Sequence, residues 1–272
     1  MITLADKKMH GEDGSVIAYY DNEHIGKTAG PTVILLHGYC GSSAYWERVL
    51  PTIKDAGRVI IPDLRGHGAS SAPESDTYAM EDFADDVIRL MDHLYVHQAY
   101  LIGHSLGGYI TLAAAERHAE RLCGFGLVHS TAYADSEEAK AGRDRAAASI
   151  EEAGVDAFVE GLVPKLFAPE HLESMPEQVE RVKAIGRGTS PRGAAASARG
   201  MKARPDRNAV LEGTQLPVLL LAGGRDGLIA SERTFSVTRS NVKHALLEQS
   251  GHLGMIETPE EEAAELLAFV QR

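Results

Sequence analysis

The chain has 272 residues, 44% of them hydrophobic and 24% charged, and its 27 basic and 39 acidic side chains leave a formal charge of −12 at pH 7. That length can bury a large core within one domain, and the acidic balance offers no basic footprint for nucleic acid or an anionic membrane and weighs against highly anionic substrates. Two cysteines, Cys40 and Cys123, are too few for a disulfide framework or a zinc site.

Residues 2–21 alternate around the turn Gly11-Glu12-Asp13-Gly14 and predict an opening antiparallel hairpin. The first ten residues hold no apolar core or cleavage pattern, so no signal peptide is expected. Apolar runs and helical stretches then alternate as strand 32–37, helix 43–56, strand 58–62, helix 78–93, strand 99–104, helix 106–118 and strand 124–129. Continuous apolar strands separated by helices predict a mostly parallel sheet covered on both faces, with reactive loops at the carboxyl ends of the strands.

From 131 to 213 the pattern changes to alanine-rich, charged helical stretches such as 135–153 and 191–204, broken at Gly154, Pro164, Pro169 and Pro176 and at 186–188. No buried strand interrupts them, and the sheet resumes at 217–222 and 243–247. The organisation expected is therefore an α/β core of residues 1–130 and 214–272 with a helical cap, 131–213, inserted into it. The cap's larger apolar residues include Phe158, Leu162, Leu166 and Phe167. Phe158, Leu162 and Phe167, with Tyr39 and His129 from the core, are the candidates for lining a substrate pocket.

From the strand at 99–104 runs Leu101-Ile102-Gly103-His104-Ser105-Leu106-Gly107-Gly108, an apolar strand that ends in Gly-x-Ser-x-Gly and leads into a helical pattern. Such a reversal holds a serine in a strained conformation and exposes its hydroxyl, and glycines two residues to either side remove the side chains that would collide. A serine hydroxyl needs an imidazole to take its proton, and the imidazole needs a carboxylate to fix its tautomer. Leu219-Leu220-Leu221-Ala222-Gly223-Gly224-Arg225-Asp226 supplies the carboxylate after a later strand, and Ser250-Gly251-His252 supplies the histidine. Ser105, Asp226 and His252 stand in the chain order expected of such a triad, with Asp135 and Glu137 as rivals for the acid.

Leu35-Leu36-His37-Gly38-Tyr39-Cys40-Gly41 follows an earlier strand, where the second amide of an oxyanion hole belongs. The backbone N–H groups of Tyr39 and Leu106 are the predicted donors. His37 is expected to brace the loop, the His104 side chain to point away from the reacting centre, and Cys40 has no motif that makes it a nucleophile. Trp46, at helical spacing from Val49 and Leu50, reads as core or pocket wall.

These motifs, joined by Pro62-Asp63-Leu64-Arg65-Gly66-His67-Gly68, resemble the α/β-hydrolase fold superfamily and within it the small carboxylesterases, enol-lactonases and cofactor-free haloperoxidases. The resemblance spans nearly the whole chain. It implies the α/β-hydrolase fold, a scaffold role for Asp63 and Arg65, and a serine where related dehalogenases and epoxide hydrolases carry a nucleophilic aspartate. No Gly-x-Gly-x-x-Gly, phosphate loop or His-Glu-x-x-His is present, so neither cofactor nor metal is expected. No run reaches the roughly 18 apolar residues of a membrane span. The chain is thus expected to be a cytoplasmic monomer or small homo-oligomer whose partner is a small-molecule ester. Lactone or C–C bond hydrolysis by the same triad, or ligand sensing on the same fold, are the alternatives.

Overall fold

Eight strands form one sheet in the computed structural model, which describes residues 1–23 and 30–271. They are β1 (Lys7–His10), β2 (Val16–Asp21), β3 (Thr32–Leu36), β4 (Arg58–Pro62), β5 (Ala99–His104), β6 (Leu122–Val128), β7 (Val218–Gly223) and β8 (Val242–Leu247), in the order β1-β2-β4-β3-β5-β6-β7-β8. β1 pairs antiparallel with β2 and β2 with β4, and the other five pairings are parallel. The chain runs from β3 outward to β4 and then crosses to β5 on the other side of β3. The loops after β3 and β5 therefore diverge and leave a crevice, the usual ligand site of an open α/β sheet.

Strand alternation divides the core between the two faces. Val33 and Leu35 of β3 pack into one apolar cluster with Ile102 and Phe269, whereas Ile34 and Leu36 pack into the other with Leu101 and Phe83. The register sets Leu36 beside Gly103 and Val128 beside His104 and Leu221. The carboxyl ends of β3, β5, β6 and β7 are thereby level, and the loops that follow them meet.

The helices are α1 (Leu50–Ile53), α2 (Met80–His93), α3 (Leu106–Arg117), α4 (Glu137–Ala153), α5 (Val155–Leu162), α6 (His171–Ser174), α7 (Pro176–Gly186), α8 (Pro191–Ala203), α9 (Asn208–Gly213), α10 (Ser231–Thr234), α11 (Gly254–Glu257) and α12 (Pro259–Val270). Between β6 and β7 every described element is helical, from α4 to α9. Ser136 Oγ caps α4 by accepting the Ala139 N–H, and Gly154 ends it at a φ of 82°. Among the described residues no helix is long and apolar enough to cross a membrane.

One predicted helix is absent. Residues 43–56 form a 3-10 turn, Ser43–Trp46, and the single turn α1. A continuous helix would set the Pro51 ring against the carbonyl of Glu47, four residues earlier. The Ser43 N–H is also drawn away to Asp63 Oδ1 at 2.7 Å. Trp46 falls in this segment and is fully buried core rather than cavity wall.

Candidate active site

Ser105 joins β5 to α3 at φ 50° and ψ −111°, a backbone region that side chains other than glycine's rarely adopt. A Cβ on Gly103 would lie 2.0 Å from the Gly107 carbonyl oxygen, and one on Gly107 would lie 2.6 Å from that of Leu36. Both glycines are thus required by the elbow's close approach to its own helix and to β3. The Ser105 N–H donates to the Val128 carbonyl at 2.9 Å, and its carbonyl accepts the Gly108 N–H at 2.9 Å and the Ser130 hydroxyl at 2.8 Å. These bonds hold the strained geometry in place.

The loop after β7 carries Asp226. Its Oδ1 accepts the Leu228 and Ile229 N–H groups at 2.8 and 3.0 Å, and its Oδ2 stands 2.7 Å from His252 Nδ1. Burial pushes this carboxyl up, but the charge and hydrogen bond of His252, with His129 and the Ile229 amide, outweigh it and hold the group well below the usual carboxylate range. The His252 backbone is pinned on both sides, its N–H donating to the Leu166 carbonyl at 2.8 Å and its carbonyl accepting from His104 Nε2 at 2.8 Å. A Cβ on Gly251 would lie 2.4 Å from the Ala168 nitrogen, so glycine before His252 lets its loop press against the 167–168 backbone.

Ser105 and His252 line one cavity of about 560 Å³. Among the described residues no hydrogen bond joins Ser105 Oγ to His252 Nε2. Such bonds are commonly loose before substrate binds, and rotation about the serine Cα–Cβ bond repositions the hydroxyl.

The loop after β3 closes in the turn Gly38–Gly41, with the Gly41 N–H donating to the Gly38 carbonyl at 3.1 Å and Cys40 at a φ of 54°. His37 braces it: Nδ1–H donates to the Gly38 carbonyl at 2.8 Å, and Nε2 accepts the Leu64 N–H at 3.0 Å. A Cβ on Gly38 would meet His104 Nδ1 at 2.5 Å, so this loop backs directly onto the elbow. The Tyr39 and Leu106 N–H groups have no acceptor among the described residues. Burial pushes the Cys40 thiol up to about 12, which removes it as a nucleophile at neutral pH. Asp63 accepts Ser43 N–H, Ala69 N–H and the Thr3 hydroxyl, and Arg65 pairs with Asp86 at 2.6 Å, so both serve as scaffold.

Of the pocket residues expected from sequence, Tyr39, Phe158 and Leu162 line the cavity, and Phe167 and His129 do not. Phe167 turns into the apolar core. His129 is fully buried, with Nδ1 3.8 Å from Asp226 Oδ2 and Nε2 3.3 Å from Glu262 Oε2, and so stands behind the acid. Burial raises the Glu262 carboxyl, and Glu262 and its acidic neighbours raise His129 against its own burial, so the pair retains a proton between them. His104 does not point away: its ring packs 5.0 Å from that of His252, and burial first, then the charges of His252 and His129, keep it neutral. Asp135 binds Arg143 and Arg204, and Glu137 pairs with Lys140 on the surface, so neither rival carboxylate reaches His252.

Sequence reasoning missed Tyr45, Tyr109, Arg143 and Arg204 on the cavity wall. A usable signal lay in α4, where Ala139, Gly142, Arg143 and Ala146 recur at helical spacing as a stripe of small residues around one arginine. Among the described residues no group of three or more His, Cys, Asp or Glu is arranged to hold a metal ion.

A family model described as alpha/beta hydrolase fold matches residues 31–259. The chain is 28% identical over 249 residues to the dihydrolipoyllysine-residue acetyltransferase component of the acetoin cleaving system of Pseudomonas putida, a match over 91% of this chain and 65% of that protein. It thus spans just under two thirds of that relative. It is 29% identical over 238 residues to 3-oxoadipate enol-lactonase 2 of Acinetobacter baylyi, 87% of each chain. A thermophilic esterase from Thermogutta terrifontis, solved with malate bound, superposes with a TM-score of 0.90 at 29% identity over 97% of this chain and 98% of that one.

Proposed function

The chain belongs to the alpha/beta hydrolase fold family, and from that premise we propose that it is a serine hydrolase that cleaves small carboxylic esters through an acyl-enzyme on Ser105. The observation that carries this reading is the 2.7 Å contact between His252 Nδ1 and Asp226 on the wall of the cavity that Ser105 also lines. Similarity to the Thermogutta terrifontis esterase supports it.

His252 takes the Ser105 proton as the hydroxyl oxygen attacks the ester carbonyl, and Asp226 holds the ring in the required tautomer and stabilises its charge. The tetrahedral oxyanion accepts from the Tyr39 and Leu106 amides, each contributing about 3 kcal/mol in the transition state. The alcohol departs with the proton that His252 received. Water, deprotonated by the same imidazole, then attacks the acyl-enzyme and releases the acid. In this reading α4 to α9 form the cap, and Phe158 and Leu162 are its apolar contribution to the acyl site.

The test is turnover of short-chain aryl esters by the protein and its Ser105→Ala variant, with labelling by a fluorophosphonate. Turnover is expected to fall by about 10⁴-fold or more in the variant, and the probe to attach at Ser105 alone. Absence of ester hydrolysis, or a variant that keeps most of it, rejects the assignment. The enol-lactonase relative, matched over 87% of both chains, favours lactone opening by the same triad as a second reading. The ratio of lactone to ester turnover decides between them.

A further inference from the structure

The net charge of −12 weighs against anionic substrates, yet the cavity beside Ser105 reverses that sign locally. Arg143, Lys165, Arg204 and Arg233 line it, against a single carboxylate, Asp135. Arg204 is committed mainly to the fold: its Nη1 pairs with Asp135 at 2.8 Å and donates to the Met201 carbonyl at 2.8 Å, its Nη2 donates to the Tyr133 carbonyl at 3.2 Å, its guanidinium lies 3.8 Å from the centre of the Tyr109 ring, and its buried Nε alone has no hydrogen-bond partner among the described residues. Arg143 is different. Only its Nε is engaged, donating to Asp135 Oδ2 at 3.1 Å, and its two terminal nitrogens have no partner among the described residues.

The Arg143 side chain is 27% exposed, and the cavity is where it can meet a ligand. Asp135, itself 6% exposed and anchored by Arg204, fixes the guanidinium from one side. Ala139, Gly142 and Ala146 flank Arg143 on the same face of α4 and leave room in front of it. Burial works against the charge and the Asp135 carboxylate opposes that effect, so the guanidinium stays ionised. A fixed, half-satisfied guanidinium in a part-enclosed site is matched by an oxyanion that takes both terminal nitrogens at once, and a carboxylate is the oxyanion with the same planar fork. Lys165 and Arg233, both exposed and in no ion pair among the described residues, add positive potential that draws such an anion in.

We propose that Arg143 is a carboxylate-binding subsite and that the substrate is an ester bearing a carboxylate away from the bond that is cleaved. This inference rests on the hydrolase reading above, and its test separates the two. Monoethyl adipate and ethyl valerate, a charged and a neutral ester of similar length, are compared by acid release for the protein and its Arg143→Met and Arg143→Lys variants. The ratio of kcat/KM, charged over neutral, is expected to exceed about 10 and to fall at least about tenfold in Arg143→Met, with Arg143→Lys between, as expected for a charged hydrogen bond. A ratio near or below one, or one that Arg143→Met leaves unchanged, overturns the subsite while ethyl valerate turnover still upholds the hydrolase. Hydrolysis of neither ester, with no fluorophosphonate labelling of Ser105, rejects the hydrolase itself and the subsite with it. Should Arg143→Met fail to fold, inhibition of the unaltered protein decides. Adipate is expected to compete at least about tenfold more tightly than adipamide, and equal inhibition overturns the proposal.

Discussion

The strained backbone of Ser105 should reverse the usual order of stability between glycine and alanine. At φ 50° and ψ −111° a residue with a Cβ costs about 1–3 kcal/mol, a cost that glycine escapes. Glycine in turn loses about 1 kcal/mol more backbone entropy than alanine on folding. Ser105→Gly should therefore be about 0–2 kcal/mol more stable than Ser105→Ala, although glycine is ordinarily the less stable of the two. Neither variant disturbs the local bonds, because Ser105 holds Val128, Gly108 and Ser130 through its backbone and not through its hydroxyl. For a chain of this length each kcal/mol is about 2 °C in Tm. Denaturant midpoints at constant m-value are the cleaner assay, and both variants should lack esterase turnover. If Ser105→Gly were about 1 kcal/mol less stable than Ser105→Ala, the elbow would be unstrained.

Asp226→Asn should fold, since the asparagine oxygen can still accept the Leu228 and Ile229 amides, yet it presents an N–H to His252 Nδ1 and selects the wrong tautomer. A fall in kcat of about 10⁴-fold with KM little changed is the expected result. The second concerns the buried pair His129–Glu262. Both groups are raised above their unfolded values of 6.5 and 4.5, so the native state keeps a proton that the unfolded chain gives up, and stability declines as pH rises from about 4.5 past neutrality. Glu262→Gln should flatten that decline, checked by denaturant midpoints between pH 5 and 8. Asp226, held low, acts with the opposite sign: its contribution is present above 3.8 and is lost only as pH falls through its depressed value.

The parts of the fold that sequence revealed are those set by local chemistry. β5 and β7 are buried along their whole length, which leaves unbroken apolar runs, and Gly103 answers to a collision with the Gly107 carbonyl four residues on. What sequence hid was set by distant partners. The segment after Ser42 follows Asp63 and Thr3 rather than its own helical pattern. His129 is positioned by Glu262, 133 residues further along the chain. Phe158 and Leu162 reach the cavity because they share one face of α5, whereas Phe167 lies beyond the 3-10 turn Val163–Lys165 and faces the core. Apolar character alone could not separate them.

Charge around His252 is divided by the imidazole itself. Behind it stand Asp226, Glu262 and Glu257, the last accepting Leu253 N–H at 3.1 Å, Ala168 N–H at 2.8 Å and His171 Nδ1 at 2.7 Å. Cations line the cavity in front. In the proposed reaction the two sides act on different stages. When His252 takes a proton, Asp226 at 2.7 Å outweighs guanidinium groups across a solvated cavity, since Coulomb energy falls with both distance and dielectric. Those cations can therefore attract an anionic ligand and favour the oxyanion without preventing the base from charging. Glu257 binds the His252 loop to the 168–171 segment, so one buried carboxylate ties the loop of the imidazole to the helical stretch between β6 and β7.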